Sequence, residues 1–345
     1  MVLFLILLFI AFSGSGFAQK VWVRNVPEMA MPSQVDSNSP AFWRNGELYL
    51  FNSTGNGPIL SKGADQFSLG TAQQASISRQ RPWPAWIEAV WVDDTGAILA
   101  WYHQEHENLC GAQRPAQPHI GAAISYDEGR TFFDYGVVLS SPVAPDCSSR
   151  NGYFSGGHGD FSVVLDRESK YFYFIFGNYG GPAETQGVAI ARMAYEDRFH
   201  PVNSVRKYSG GSWDEPGAGG QVSPILPATV SWQAEDTDSF WGPAIHWNKY
   251  LRTFVMLLNR SCCSSGFPQR GIYISYNQDL SNPDGWTKPR RILSDAGWYP
   301  QVLGVKPGET DTVAGRVARL YIYGRSRWEL VFRRDDELEP APANQ

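Results

Sequence analysis

Three acidic residues far apart in the chain, Asp36, Glu88 and Asp160, share one local setting. Each stands at or near the opening of an aromatic, β-branched run. Gln301 takes the same place in the run Trp298-Tyr299-Pro300-Gln301-Val302-Leu303. Carboxyl groups that meet from distant segments are the means of general acid and base catalysis, one holding a proton while another is ionised. Three like charges gathered at one point cost stability unless they are used or paired. The chain carries no phosphate-cradling glycine loop, no G-x-S-x-G elbow and no dinucleotide fingerprint. The chemistry therefore depends on whether the fold brings these side chains together.

The runs that carry them repeat. Residues 35–43 turn at Arg44-Asn45-Gly46 into 47–51, and 86–91 turn at 93–96 into 98–102. Residues 161–165 turn at 166–170 into 171–176, and 240–247 turn at 248–250 into 253–257. The fifth run, 298–303, passes a longer loop into 319–323. Paired β-branched and aromatic runs about short polar turns are hairpins. Their recurrence at about 40–50 residues signals a radial repeat. The reading is all-β, a five-bladed β-propeller whose inner strands open around one axial site. The alternating stretch Lys20-Val21-Trp22-Val23-Arg24 is expected to complete the last blade against 328–332.

A hydrophobic content of 43% over 345 residues is ample for one large core, read as a single domain over 19–333 with a flexible tail at 334–345. The net charge of −5, with no basic stripe, disfavours a nucleic-acid partner. Residues 1–18 are an apolar run ending Gly16-Phe17-Ala18, which fits a signal peptide cleaved before Gln19. An uncleaved anchor is the alternative, and either places the domain outside the cytoplasm, secreted or periplasmic. No second stretch nears membrane length, and a monomer is expected. Four cysteines suit that compartment. Cys110 and Cys147 are a plausible pair, Cys262 and Cys263 are adjacent, and the sequence leaves the connectivity open. Their spacing does not suggest a metal site.

Ser125-Tyr126-Asp127-Glu128-Gly129-Arg130-Thr131-Phe132 matches an Asp box, S-x-D-x-G-x-T-(W/F), at every fixed position. Such boxes resemble those of sialidase-like propellers, where they join outer strands away from the active site. From 34 to 332 the chain resembles the five-bladed glycoside hydrolases of family 43 and their invertase-like relatives. The likeness rests on the five units, the Asp opening the first inner strand, the acidic residues opening blades two and three, and the run from Ser275-Tyr276-Asn277-Gln278-Asp279-Leu280 to Gly285-Trp286-Thr287-Lys288-Pro289. In that family a blade-one Asp is the general base, a blade-two Asp tunes and orients, and a blade-three Glu is the acid. The resemblance implies Asp36 as base, Glu88 as second carboxylate and Asp160 as acid, with the acid open between Glu88 and Asp160. Two departures stand out: the Asp and Glu of blades two and three are exchanged, and the family's E-G-P is here Trp241-Gly242-Pro243.

The substrate-binding candidates are Trp43, His103, His158, Trp241, His246, Gln301 and Arg325. His103-Gln104-Glu105-His106 is expected in a rim loop after its strand, with His103 and Glu105 at the pocket mouth. Arg325 would clamp a sugar carboxylate, and Glu235, Asp236 and Asp238 are outside candidates for the acid. No cofactor is required; a structural calcium at the axis is left open. The function expected is a secreted glycoside hydrolase, inverting, acting on a glycan. The alternatives are a carbohydrate-binding propeller without turnover and a sialidase-like exo-hydrolase.

Overall fold

The computed structural model describes residues 20–78, 84–294 and 297–334. The expected signal peptide at 1–18 and nearly all of the expected tail lie outside these. The strands in chain order are β1 (Lys20–Ala30), then β2 (Ala41–Arg44), β3 (Glu47–Thr54), β4 (Gly57–Gly63) and β5 (Gln73–Gln74) of blade one. Blade two follows with β6 (Ser76–Ser78), β7 (Ala85–Val92), β8 (Ile98–His106), β9 (Gln117–Ser125) and β10 (Thr131–Leu139). Blade three has β11 (His158–Leu165), β12 (Tyr171–Asn178), β13 (Gly187–Ala194), β14 (Arg206–Ser209), β15 (Ser212–Pro216) and β16 (Pro224–Pro227). Blade four has β17 (Ser239–Asn248), β18 (Thr253–Ser261), β19 (Gln269–Asn277) and β20 (Arg290–Leu293). Blade five has β21 (Pro300–Gly304), β23 (Val317–Ile322) and β24 (Arg325–Arg333), while the short β22 (Val313–Ala314) pairs with β17.

These strands form five sheets, each built on an antiparallel meander that steps outward from β2, β7, β11, β17 or β21, with β6 added parallel to β10 and β22 parallel to β17. The protein is a five-bladed β-propeller. The turns explain the hairpins. Asn45 and Gly46, at φ +52° and +81°, make the doubly left-handed turn that joins β2 to β3. Between β11 and β12, Asp166 accepts the backbone N–H groups of Glu168, Lys170 and Tyr171 at 3.1, 2.8 and 3.1 Å. Between β9 and β10, Asp127 Oδ1 accepts the N–H groups of Arg130 and Thr131 at 3.1 and 2.9 Å, with Phe132 buried beside the turn. Apolar faces of neighbouring blades make the core, as where Leu99 and Trp101 of blade two meet Phe161, Val163 and Phe174 of blade three.

The ring closes in two places. β1 pairs antiparallel with β24, Trp22 opposite Val331 and Asn25 opposite Trp328, so the amino-terminal strand completes the last blade as expected. Nearer the axis, Gln301 of β21 reaches blade one, its Oε1 accepting the Ser39 N–H at 2.6 Å and its Nε2 donating to the Ser39 carbonyl at 2.8 Å. The amide thus imitates one rung of a ladder. Gln301→Ala leaves both Ser39 groups unpaired in a buried setting and is expected to lower stability by about 1–3 kcal/mol. Urea denaturation reads this directly; an unchanged midpoint would show that the rung contributes nothing.

Both cysteine pairs are disulfide-bonded, Cys110 with Cys147 and Cys262 with Cys263. The first ties the loop after β8, which carries Arg114, to the segment that leads into β11.

Candidate active site

Inner-strand irregularities set the site. The β7–β8 ladder slips between Ile87 and Ala89, and the β11–β12 ladder slips between Gly159 and Phe161. The extra residue at each bulge is Glu88 in the first and Asp160 in the second, and a bulge re-aims the side chain it carries. Asp160 holds φ +42°, a conformation few residues other than glycine adopt. Its neighbour Gly159 lies against His103, where an added Cβ would stand 2.7 Å from the ring. Glycine is needed there for the imidazole to reach its place.

His103 is the hub. Its Nδ1 lies 3.1 Å from Glu88 Oε1 and accepts the Asp160 backbone N–H at 3.2 Å. The Asp160 carboxylate stands 4.0 Å from the same nitrogen, and Nε2 faces Glu105 Oε1 at 3.6 Å without hydrogen-bonding it. Glu88 Oε2 accepts the Phe161 N–H at 2.9 Å. Tyr179 donates its hydroxyl to Asp160 Oδ2, and Arg114 pairs with Glu105. Glu88, His103, Glu105 and Asp160 are all buried, whereas Asp36 is half-buried at the mouth. Exposed Tyr323 stands near enough to Asp36 to feel its charge.

Burial spreads the proton affinities. The Glu88 carboxyl lies well above the usual range because it is fully desolvated; the Phe161 N–H opposes this and the Asp36 charge adds to it. Asp160 is pushed up to about 6, mainly by burial, with His103 opposing and Glu88 reinforcing. Asp36 is raised from its ordinary value by partial burial, held back by the positive charges of His103 and Arg114 and by the Trp86 indole. Glu105 is raised by burial, with His103 and Arg114 opposing. With Glu88 protonated, its O–H faces Nδ1, the same nitrogen that meets the Asp160 N–H.

Spacing restricts the chemistry. One ligating atom from each of Glu88, His103 and Asp160 lies within 4.8 Å of the others. A water attacking opposite a leaving group needs carboxyls about 6.5–9.5 Å apart, so Glu88 and Asp160 are too close to be that pair. Of the two, Glu88 has both oxygens engaged. Glu88, His103 and Asp160 thus offer three ligand atoms, one of them a nitrogen, of the six to eight, mostly oxygen, that calcium takes.

The other sequence candidates divide. Trp241 belongs to an aromatic wall beside the carboxylates, 5.7 Å from Tyr299 and 5.4 Å from Trp298, and its indole donates to Gln269. Gln301 is spent on Ser39. His158 is not brought to the carboxylates: its Nδ1 meets the Gly157 carbonyl, its ring packs on Phe176, and burial holds it neutral. His246 packs between blades against Phe332, with burial alone lowering it to about 3. Trp43 donates to the Glu309 carbonyl at the far end of β2, and Arg325 is exposed and paired with Glu28. Asp238 is held in a fork by Arg260, both bonds 2.8 Å. The expected rim loop at 103–106 is instead strand, because β9 continues the ladder to His106; alternation then aims His103 and Glu105 to one side.

Four contributors went unread in the sequence: Tyr179, Arg114, Tyr299 and Asn38. Asn38 crosses the axis, donating to the carbonyls of Phe161 at 2.8 Å and Pro243 at 3.0 Å. Tyr299 had a signal. Tyr299-Pro300 repeats Gly242-Pro243 one blade on, and both residues before proline have positive φ, +55° and +57°.

No family model matches the chain, and no curated protein matches it in sequence. Solved structures do match in three dimensions. A thermostable family-43 glycoside hydrolase aligns over 92% of this chain and 99% of its own, with TM-score 0.51 and 12% identity. Another glycoside hydrolase aligns over 93% and 96%, with TM-score 0.53 and 11% identity. The fold is that of the family-43 glycoside hydrolases. An exo-β-1,3-galactanase from Phanerochaete chrysosporium, solved with β-1,3-galactotriose, aligns over 90% of this chain with TM-score 0.50 and 12% identity. The present chain spans 65% of that galactanase's length.

Proposed function

We propose that the protein is a glycoside hydrolase that cleaves a glycan by inversion, acting as a monomer outside the cytoplasm. The observation that carries this reading is the convergence of Asp36, Glu88 and Asp160 with proton affinities spread apart. Asp160, protonated up to about pH 6, gives its proton to the glycosidic oxygen. Asp36, nearest solvent, is ionised and takes a proton from the attacking water. Glu88 touches neither; it fixes His103 and the Phe161 N–H, and so holds Asp160 in place. β-1,3-Galacto-oligosaccharides come first among substrates to assay, because a neighbour in fold is named for that bond.

Activity requires Asp160 protonated and Asp36 ionised. The pH–rate profile is therefore expected to be a bell on the acidic side. Its alkaline limb should fall near pH 6, losing about tenfold per unit above it, and its acid limb should lie above the ordinary Asp value. Sugar release from pH 3.5 to 8 measures this. An activity flat to pH 8 would contradict the role given to Asp160.

A second reading is favoured by one residue. Trp241 stands where the family's E-G-P motif has its glutamate, and the missing carboxylate suits a propeller that binds glycan without cleaving it. Binding without release of sugar, unaffected by Asp36→Asn, would select that reading.

A further inference from the structure

We propose that Tyr299 is a further substrate-binding residue of the acidic mouth, its hydroxyl donating a hydrogen bond to a hydroxyl oxygen of the sugar ring held beside Asp36 and Asp160. This rests on the reading that a glycan binds at those carboxylates. Tyr299 stands just before β21, where its backbone is forced. It holds φ +55°, a left-handed conformation that a bulky residue seldom adopts, and a residue before proline normally lies in the extended region. Such strain persists only where the surroundings over-determine it, and it gathers at ligand sites. Here buried Asn259 does so, its Oδ1 accepting the Tyr299 N–H at 3.0 Å and its Nδ2 donating to the Gly297 carbonyl at 2.9 Å. The Trp298 carbonyl between them accepts the Tyr323 N–H at 2.8 Å. The Trp241 ring, 5.7 Å away and nearly perpendicular, backs the phenol.

The fold thus fixes a phenol whose hydroxyl it does not use. Tyr299 is 8% exposed, yet its hydroxyl meets no hydrogen-bond partner among the described residues. Its oxygen is not one of the unpartnered atoms sealed from solvent, as the Tyr276 hydroxyl is. The other donors beside the carboxylates are spent, Tyr179 on Asp160 and Arg114 on Glu105. The Tyr299 hydroxyl feels the charge of Asp160 most and then those of Asp36, Glu88 and Glu105, which sets it beside the same four carboxyl groups. Burial and these charges hold it protonated well above the usual phenol range, so it is a donor throughout the working pH of the site. A sugar hydroxyl both donates and accepts; ionised carboxylates can only take its proton, and Tyr299 supplies a donor for its oxygen.

Binding, not turnover, tests this. Methyl β-galactoside, methyl β-glucoside, methyl β-xyloside and methyl α-arabinofuranoside are titrated into wild type and Tyr299→Phe at pH 5, followed by ligand-observed ¹H NMR, and urea midpoints are taken for both proteins. At least one glycoside is expected to bind wild type, and half-saturation should need about tenfold more of it in Tyr299→Phe, the loss of one neutral hydrogen bond. The urea midpoint should not change, because the hydroxyl has no partner in the fold. The monodeoxy analogues of that glycoside locate the contact. One of them should bind wild type about tenfold more weakly than its parent, while Tyr299→Phe binds the two alike. The proposal is overturned if no glycoside binds, if Tyr299→Phe binds as wild type does, if its midpoint falls as well, or if each deoxy analogue weakens both proteins equally. A glycoside bound through Tyr299 but never cleaved would overturn the hydrolase reading and leave this one standing.

Discussion

Asp160→Asn is expected to lower turnover by about 10²–10⁴-fold while making the protein more stable at pH 7.5. The first effect is the loss of a positioned general acid. The second follows from its burial. Asp160 titrates at about 6 in the fold against 3.8 as the model carboxyl value, so the folded state binds its proton more tightly. A raised acid costs nothing below pH 3.8; its penalty grows as pH rises and is complete above 6. Two units amount to about 3 kcal/mol. Asparagine keeps an oxygen for the Tyr179 hydroxyl and carries no charge to bury. Urea midpoints should rise for the variant at pH 7.5 and coincide with wild type at pH 3.5. Lower stability at both pH values, or undiminished turnover, would remove Asp160 from the mechanism.

Deleting β1 is expected to be more damaging than any single substitution. A chain begun at Met31 loses the whole edge of blade five, from Val21 opposite Phe332 to Ala30 opposite Arg325. It also loses Val21 from the core, the Trp22 ring beneath the Arg333 guanidinium at 3.5 Å, and the Pro27 carbonyl that Arg319 uses. Val21 alone is worth about 1.5–3 kcal/mol, and each ladder hydrogen bond about 0.5–1.5. Their sum approaches the 5–15 kcal/mol that holds a typical domain together. The truncated chain should unfold at much lower urea and be cut rapidly by protease. A peptide of residues 20–30 added in trans should restore part of the loss. An unchanged midpoint would mean that the ring does not depend on this closure.

The blades were legible because their signal is period-two burial punctuated by turn residues. Phe161-Ser162-Val163-Val164-Leu165 and the aromatic run after Asp166 became β11 and β12 with the expected turn between them. What alternation could not show is where its own phase breaks. His158 and Asp160 are two residues apart and share a face on a regular strand; the bulge at Asp160 separates them, one into packing and one to the site. The same limit hid the role of His103. Its strand looked finished at Tyr102, yet pairing with β9 carries it four residues further. Arg114 was beyond reach because its place depends on a loop tied by the Cys110–Cys147 disulfide, and no local pattern encodes such a contact. Arg325 failed for a different reason: blade five is completed by β1, whose Glu28 holds the guanidinium outside the axis.

The most direct measurement follows the anomer first released by ¹H NMR. Wild type and Asp36→Asn are mixed at pH 5 with β-1,3-galacto-oligosaccharides and a panel of aryl glycosides. The account predicts hydrolysis by wild type with inverted configuration, and loss of at least about a hundredfold in Asp36→Asn. Retained configuration, or equal hydrolysis by the two proteins, would contradict it.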